Sequence, residues 1–366
     1  MGLALGLAGC SSLPPEEQAR RDRVLNEDRE ASTFLRAGNY AAAKPLLDDA
    51  VITLGGLTAG DRSAREARSY FKEESRKAFR GEPYERVMVY YYRGILYWMD
   101  GELDNARACF RSAALQDADP EQHQFDSDYV LLDYLDGLAS EKISGSGSDA
   151  LQRALKVVRG AQPPAYDKAA NILVFVEMGQ GPTKYAAGTH GEQLHFSAGS
   201  SVAVSAVVRV DATNGAPAIT AAAPAYDDLT YQATTRGGRQ MDFILANKAV
   251  FKDSTDNFGN AAILSGAILA SQGGRNSNMD EVGAGLLLAG LVSKVVSAAT
   301  TPAADTRCWN NLPNLLGFTA FRLPPGRRSA TVEFLNPAGQ IIATRKVEFE
   351  VVPGRDTVLL LSDRNP

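Results

Sequence analysis

The sequence predicts a multidomain α+β chain: a charged helical region, then a β-rich antiparallel region interrupted by an apolar helical segment. Three observations carry this. Charge divides near Gly160: residues 1–160 hold 21 Lys/Arg and 26 Asp/Glu, whereas residues 161–366 hold 17 of each. Texture changes at the same place, from Ala, Leu, Arg and Glu to Val-rich runs separated by Pro-Gly turns. Within the second part, 259–299 is rich in Gly, Ala and Leu. A chain of 366 residues, 45% hydrophobic, is long enough for about two domains with cores of their own. The divisions are 1–15, a leader and tether; 16–160, helical; and 161–366, β-rich with a helical insertion at 259–299. The net charge of −5 argues against a nucleic-acid partner, which calls for a basic surface.

The first element is an address. Apolar residues run into Leu7-Ala8-Gly9-Cys10, followed by Ser11, Ser12, Leu13, Pro14 and Pro15. This resembles the lipobox of bacterial lipoproteins, in which small residues admit the peptidase and the Cys thiol accepts the lipid. The resemblance implies acylation at Cys10, a mature chain starting there, and anchoring by acyl chains, each buried CH₂ contributing about 0.8 kcal/mol. Ser11 implies sorting to the outer membrane, facing the periplasm. A signal peptide carries a basic n-region. No Lys or Arg precedes Cys10, so the natural start is expected upstream of Met1.

Helices follow from Glu16. Gly101-Glu102-Leu103 opens a helix with Ala106, Phe110 and Ala113 at small, large and small positions. Tyr90, Gly94 and Tyr97 mark the helix before it, and Pro120 closes the pair. Gly94 and Ala106 permit close approach of two antiparallel helices. Phe34, Gly38, Tyr40 and Ala43, with Leu47 and Ala50, repeat the pattern upstream. The spacing resembles tetratricopeptide (TPR) repeats and implies a TPR-like solenoid; a generic helical bundle is the alternative. The turn glycines lie 63 residues apart instead of 34, the surplus being mostly a charged helix, Asp61–Arg80. Pro45 is irregular inside a helix. Further helices are expected at Ser127–Ile143 and Asp149–Arg159, joined by Ser144–Ser148. Charge is segregated: residues 61–93 carry nine Lys/Arg against six Asp/Glu, and residues 117–149 nine Asp/Glu against one Lys. Such stripes suit a protein or peptide partner or a solvated face.

The run Phe79-Arg80-Gly81-Glu82-Pro83-Tyr84-Glu85-Arg86-Val87-Met88, the Tyr90-Tyr91-Tyr92 triplet, Asp305-Thr306-Arg307, Trp309, Leu312-Pro313 and Leu323-Pro324-Pro325-Gly326 extend the reading. Together they resemble a family of functionally uncharacterised Gram-negative lipoproteins. That resemblance implies architecture and envelope location, and no activity.

Beyond Pro163-Pro164, strands are expected at Asn171–Glu177, Ser200–Val210, Asp227–Thr235, Leu315–Leu323, Ser329–Leu335, Gln340–Val351 and Asp356–Ser362. The last four, with Pro-Pro-Gly, Asn-Pro-Ala-Gly and Pro-Gly-Arg-Asp turns between them, read as a half-buried meander. They weakly resemble a PEGA-like or transthyretin-like unit. In 259–299, Gly285, Ala289, Ser293 and Ser297 form a small-residue face that suits helix packing. The run before Lys294 is shorter than the ~20 residues that span a bilayer.

Catalytic signals are sparse. Cys109 and Cys308 read as buried thiols, with a disulfide as the alternative. His190-Gly-Glu-Gln-Leu-His195 is not HExxH, whose histidines lie four apart on one helix; it reads as a β-hairpin. Asp117–Asp128 lacks EF-hand spacing, and Gly179-Gln-Gly181-Pro182 lacks the dinucleotide fingerprint. Asp305, Arg307 and Trp309 read as a structural knot. No metal, cofactor or catalytic residue is assigned. The expected function is a non-enzymatic, membrane-anchored envelope module that binds a protein or peptide. The alternatives are a membrane-complex subunit using 259–299 and an envelope hydrolase.

Overall fold

The computed structural model describes residues 14–55, 78–118, 126–213, 217–245, 248–251 and 304–365. Cys10, Pro120, most of the charged helix Asp61–Arg80 and the whole 259–299 segment lie outside them.

The described helices of the first half are α1 (Pro15–Arg21), α2 (Arg23–Arg36), α3 (Tyr40–Gly55), α4 (Pro83–Asp100), α5 (Leu103–Asp117), α6 (Val130–Ser144) and α7 (Ser148–Lys156). Each has a local cause. In α1, Pro15 sits in the first turn with Glu16 and Glu17, and Arg20 and Arg21 close it, which complements the helix dipole. α4 starts on a capping box: the Glu82 N–H donates to Glu85 Oε2 at 2.7 Å. It stops at Gly101, whose φ of 83° returns the chain for α5. α3 runs through Pro45, which supplies no helical N–H.

Consecutive helices pack as three antiparallel hairpins, α2–α3, α4–α5 and α6–α7. The inner row, α2, α4 and α6, contacts the strands. Fourteen of the 18 residues of α4 and 11 of the 15 of α6 are buried, far more than a one-sided helix would bury.

The strands are β1 (Ile172–Met178), β2 (Thr183–Ala187), β3 (Gln193–Ser197), β4 (Ser205–Val210), β5 (Ile219–Asp228), β6 (Thr235–Arg236), β7 (Arg239–Leu245), β8 (Lys248–Phe251), β9 (Leu315–Phe321), β10 (Gly326–Leu335), β11 (Ile341–Val351) and β12 (Thr357–Ser362), with α8 (Leu229–Thr234) between β5 and β6. Seven form a nearly closed sheet in the order β11-β10-β4-β5-β9-β1-β12. A smaller sheet runs β2-β3-β7-β6, with β8 on β7. β1 is buried throughout, as its apolar run predicts. Its side chains alternate: Leu173 and Phe175 join the helices, while Ile172, Val174, Val176 and Met178 join the apolar interior of the curled sheet.

β5 turns the corner that lets the sheet curl. It pairs with β4 up to Pro224, then with β9 from Ala225, with a register shift before Asp227. The corner needs a glycine opposite: a Cβ on Gly317 would lie 2.7 Å from the Pro224 carbonyl oxygen.

Three expectations are corrected. Asp227–Thr235 is not a strand, because Asp228 accepts the N–H groups of Thr230 and Tyr231 and caps α8 there. The last four strands are not a meander. β10 and β11 form a hairpin, but β9 pairs with β1 and β5, and β12 crosses to the far edge. The sheet is therefore mixed and not wholly antiparallel, since β12 runs parallel to β1. The compositional change near Gly160 does mark the passage from helix to strand. One continuous core nevertheless includes Leu35, Tyr91 and Leu135 of the helices and Phe175, Phe318 and Leu360 of the sheet.

Candidate functional site

The repeat-like positions lie at helix contacts. Ala43, Ala106, Phe110 and Ala113 have no exposed surface. Gly38 and Gly101 occupy the two inter-helix turns with φ of 71° and 83°. Gly94 lies under Phe110: a Cβ there would stand 2.7 Å from the ring. Tyr90 is buried, and Phe34, Tyr40 and Tyr97 are half-buried against the core. The Tyr97 ring carries the Arg93 guanidinium 3.5 Å above its centre. These residues build the helical array and do not converge on a cavity.

The polar chemistry lies in the seam between helices and sheet. Lys184 of β2 meets Glu85 of α4 at 2.5 Å, both side chains almost wholly buried. Glu85 also accepts the backbone N–H of Trp309 at 2.7 Å. Burial disfavours the Lys184 cation, but Glu85 and Glu82 outweigh it and raise its pKa. Arg36 of α2 meets Glu177 of β1 at 3.0 Å, and the Tyr92 hydroxyl donates to the same carboxylate. The Trp309 indole N–H donates to Ser32 Oγ at 3.0 Å. Arg307 bridges Asp22 at 2.7 Å and Asp305 at 2.6 Å. Asp305, Arg307 and Trp309 thus bind the returning chain to α2 and α4.

Cys308 lies in the same seam, its Sγ 3.6 Å from the Tyr84 hydroxyl. Both Cys109 and Cys308 are free and buried. Burial pushes each thiol up to about 11, with Glu85 adding to the effect at Cys308. Neither holds the thiolate that a nucleophile requires.

A second polar cluster joins α5, α6 and β5. Asp227 accepts the N–H groups of Val130 and Leu131 at 2.8 and 2.9 Å, so a carboxylate of the sheet caps α6. Burial nonetheless raises Asp227 to about 7, against the pull of those two bonds. Asp117 accepts the Asp128 N–H at 3.2 Å, and burial followed by the Asp128 charge raises its pKa. Arg159 pairs with Asp128 at 3.1 Å and covers the Tyr231 ring. Among the described residues, no group of three His, Cys, Asp or Glu side chains converges as a metal site.

His190 and His195 belong to the β2–β3 hairpin. His190 is exposed in the turn, and His195 stacks on Tyr185 with ring centres 5.6 Å apart. A shallow cleft of about 300 Å³ lies between the α4–α5 and β11–β12 turns. Its Asp356 is already engaged by the Trp98 N–H at 2.9 Å and Lys142 Nζ at 3.0 Å.

Sequence reading missed Glu85, Lys184, Arg36, Glu177 and Asp227 as structural ions. A signal existed for two of them: Glu82-Pro-Tyr-Glu85 is a capping box, and Glu177 is the one charged residue of the otherwise apolar β1. Nothing local marks Lys184, whose partner lies 99 residues away. Among the described residues no helix is long and apolar enough to cross a membrane. No family model, curated protein or solved structure matches the chain.

Proposed function

We propose that this chain is a membrane-anchored envelope lipoprotein acting as a non-enzymatic protein-binding or scaffold module, with TPR-like hairpins as its binding element. Cys10 carries the lipid, and Ser11–Pro14 tethers the body. Four residues reach at most about 14 Å, so the helical body stands close to the outer-membrane surface, facing the periplasm.

One observation supports the binding role most directly. The inner row of helices is engaged by the chain's own sheet, and the seam holds the reactive side chains in structural pairs. The outer row instead presents apolar side chains to solvent: Ile52 of α3 is 71% exposed and Leu115 of α5 is 76% exposed. A partner would therefore dock on the outer helices and not in an inner groove.

The test uses the full chain, because an isolated 16–160 fragment would expose the seam. A photo-crosslinking side chain at Ile52 or Leu115 should trap a discrete protein adduct in intact cells, and one at exposed Arg327 of β10 should not. Equal labelling at all three positions, or none, would remove the binding claim. Cys10→Ser should release the protein to the soluble fraction; retention would point to 259–299 as the membrane element.

A further inference from the structure

The outer helices do not present one chemistry along their row. On α5, Arg111 and Leu115 lie four residues apart and share a face, Leu115 being the exposed leucine of the docking surface. Arg111 reaches Asp136 of α6 at 2.8 Å. Arg153 of α7 reaches the other oxygen of that carboxylate at 3.1 Å and Asp133 at 2.9 Å. Past the end of α7, Arg159 meets Asp128 at 3.1 Å and covers the Tyr231 ring. The turn of α5 after Leu115 joins the same group, since Asp117 accepts the Asp128 N–H. In each of these ion pairs the cation is the outer member. The side chains of Arg111, Arg153 and Arg159 are 57, 47 and 42% exposed, and those of Asp136, Asp133 and Asp128 are 3, 11 and 8% exposed. Four carboxylates of the acidic stretch 117–149, Asp117, Asp128, Asp133 and Asp136, are thus buried, and arginines stand above them.

Lys156, three residues after Arg153 on α7, is exposed and forms no ion pair among the described residues. Around Leu115 the described surface therefore offers four cations, Arg111, Arg153, Lys156 and Arg159, against two exposed carboxylates, Asp126 and Asp149. The buried carboxylates hold the guanidinium groups in place without using every donor: Arg111 gives Asp136 its Nε alone. A carboxylate from outside can take the remaining N–H groups, in the paired geometry that arginine favours. The α3 face is built the other way round. Asp48, four residues before Ile52, is 45% exposed, and its partner Arg93 is 8% exposed.

We propose that the partner docked at Leu115 presents an acidic segment, with an apolar side chain against Leu115 and carboxylates on Arg111, Arg153 and Lys156. This rests on the outer-helix binding role and names the chemistry of its partner. The test places a photo-crosslinking side chain at Leu115 of the full chain, irradiates intact cells and sequences the trapped segment by mass spectrometry. Asp and Glu should outnumber Lys and Arg around the attached residue. Lys156→Glu and Arg111→Gln, the latter leaving Asp136 paired with Arg153, should together lower the adduct yield at least about fivefold. Any adduct at Ile52 should be indifferent to both. Circular dichroism checks that each variant is folded. A synthetic peptide of the trapped segment should bind the Cys10→Ser chain less tightly as salt rises. No adduct at Leu115 removes the binding role and this inference with it. An adduct that survives both substitutions, or a trapped segment without an acidic excess, overturns this inference and leaves the binding role standing. An adduct of the chain with itself, or with lipid alone, overturns it as well.

Discussion

The two faces of the main sheet are built on different terms. One face closes on itself around the apolar side chains Ile172, Val174, Val176, Val208, Val332 and Phe334, with the buried Arg328 at one end of β10. The other receives the helices and buries the Arg36–Glu177 pair beside Tyr92, while a second buried pair, Glu85–Lys184, joins α4 to β2 of the smaller sheet. An apolar interior supplies stability and tolerates adjustment. A buried ion pair adds little net stability, because desolvation offsets attraction, but it penalises every misplacement of its partners. The difference teaches that the curled sheet holds the molecule together, whereas the seam decides where the helices sit on it.

The strongest way to break this comparison is to orphan a seam charge. Lys184→Met should lower the unfolding free energy by about 3–5 kcal/mol, because Glu85 is left buried and uncompensated. Adding Glu85→Gln should recover at least half of the loss, since the amide oxygen still accepts the Trp309 N–H. Urea denaturation of the full chain checks both; a single-variant loss under about 1 kcal/mol would mean the seam is solvated.

A second prediction uses pH. Asp227 titrates at about 7 in the fold and near 3.8 as its ordinary value. The folded chain therefore binds this proton more tightly than the unfolded chain does. Its contribution is fully present below pH 3.8 and is lost as pH rises through 7. Stability should increase on acidification from pH 7 to 5, by at most about 1.4 kcal/mol per pH unit from this group. Asp227→Asn should flatten that part of the profile in thermal melts at matched pH.

Smaller effects separate the regions further. Asp228→Ala removes the cap of α8 and should destabilise by about 1 kcal/mol. Ile172→Val, in the apolar interior of the curled sheet, should cost about 0.5–1.5 kcal/mol. Its loss should add to that of Lys184→Met, as the two sites share no partner. Denaturant midpoints at pH 5 and 7 would check that the Ile172→Val effect is independent of pH.

Legibility followed the range of each interaction. The helical hairpins were readable because Gly38, Gly101 and the small-large-small spacing act within a few turns. β1 was readable from its continuous apolar run, and β10 and β11 from the turns around them. β5 was not, because its Ala-rich stretch and Pro224 serve a corner whose meaning depends on Gly317 of another strand. α8 was misread because Asp227 and Asp228 do different work: one caps α6 from a distance and the other caps α8 locally. As for the site, spacing located the packing residues. It did not show that the inner helix row would be covered by the chain's own sheet.

By itself, the sequence determined the helical first half, the strand-rich second half and most turn positions. These are set by neighbours a few residues apart, through periodicity, capping and backbone freedom. The tertiary structure alone decided that β12 would lie parallel to β1 and that Lys184 would reach Glu85. It also decided that the seam would close over α2, α4 and α6. Those outcomes depend on which distant surfaces exclude water together, and no local pattern encodes that choice.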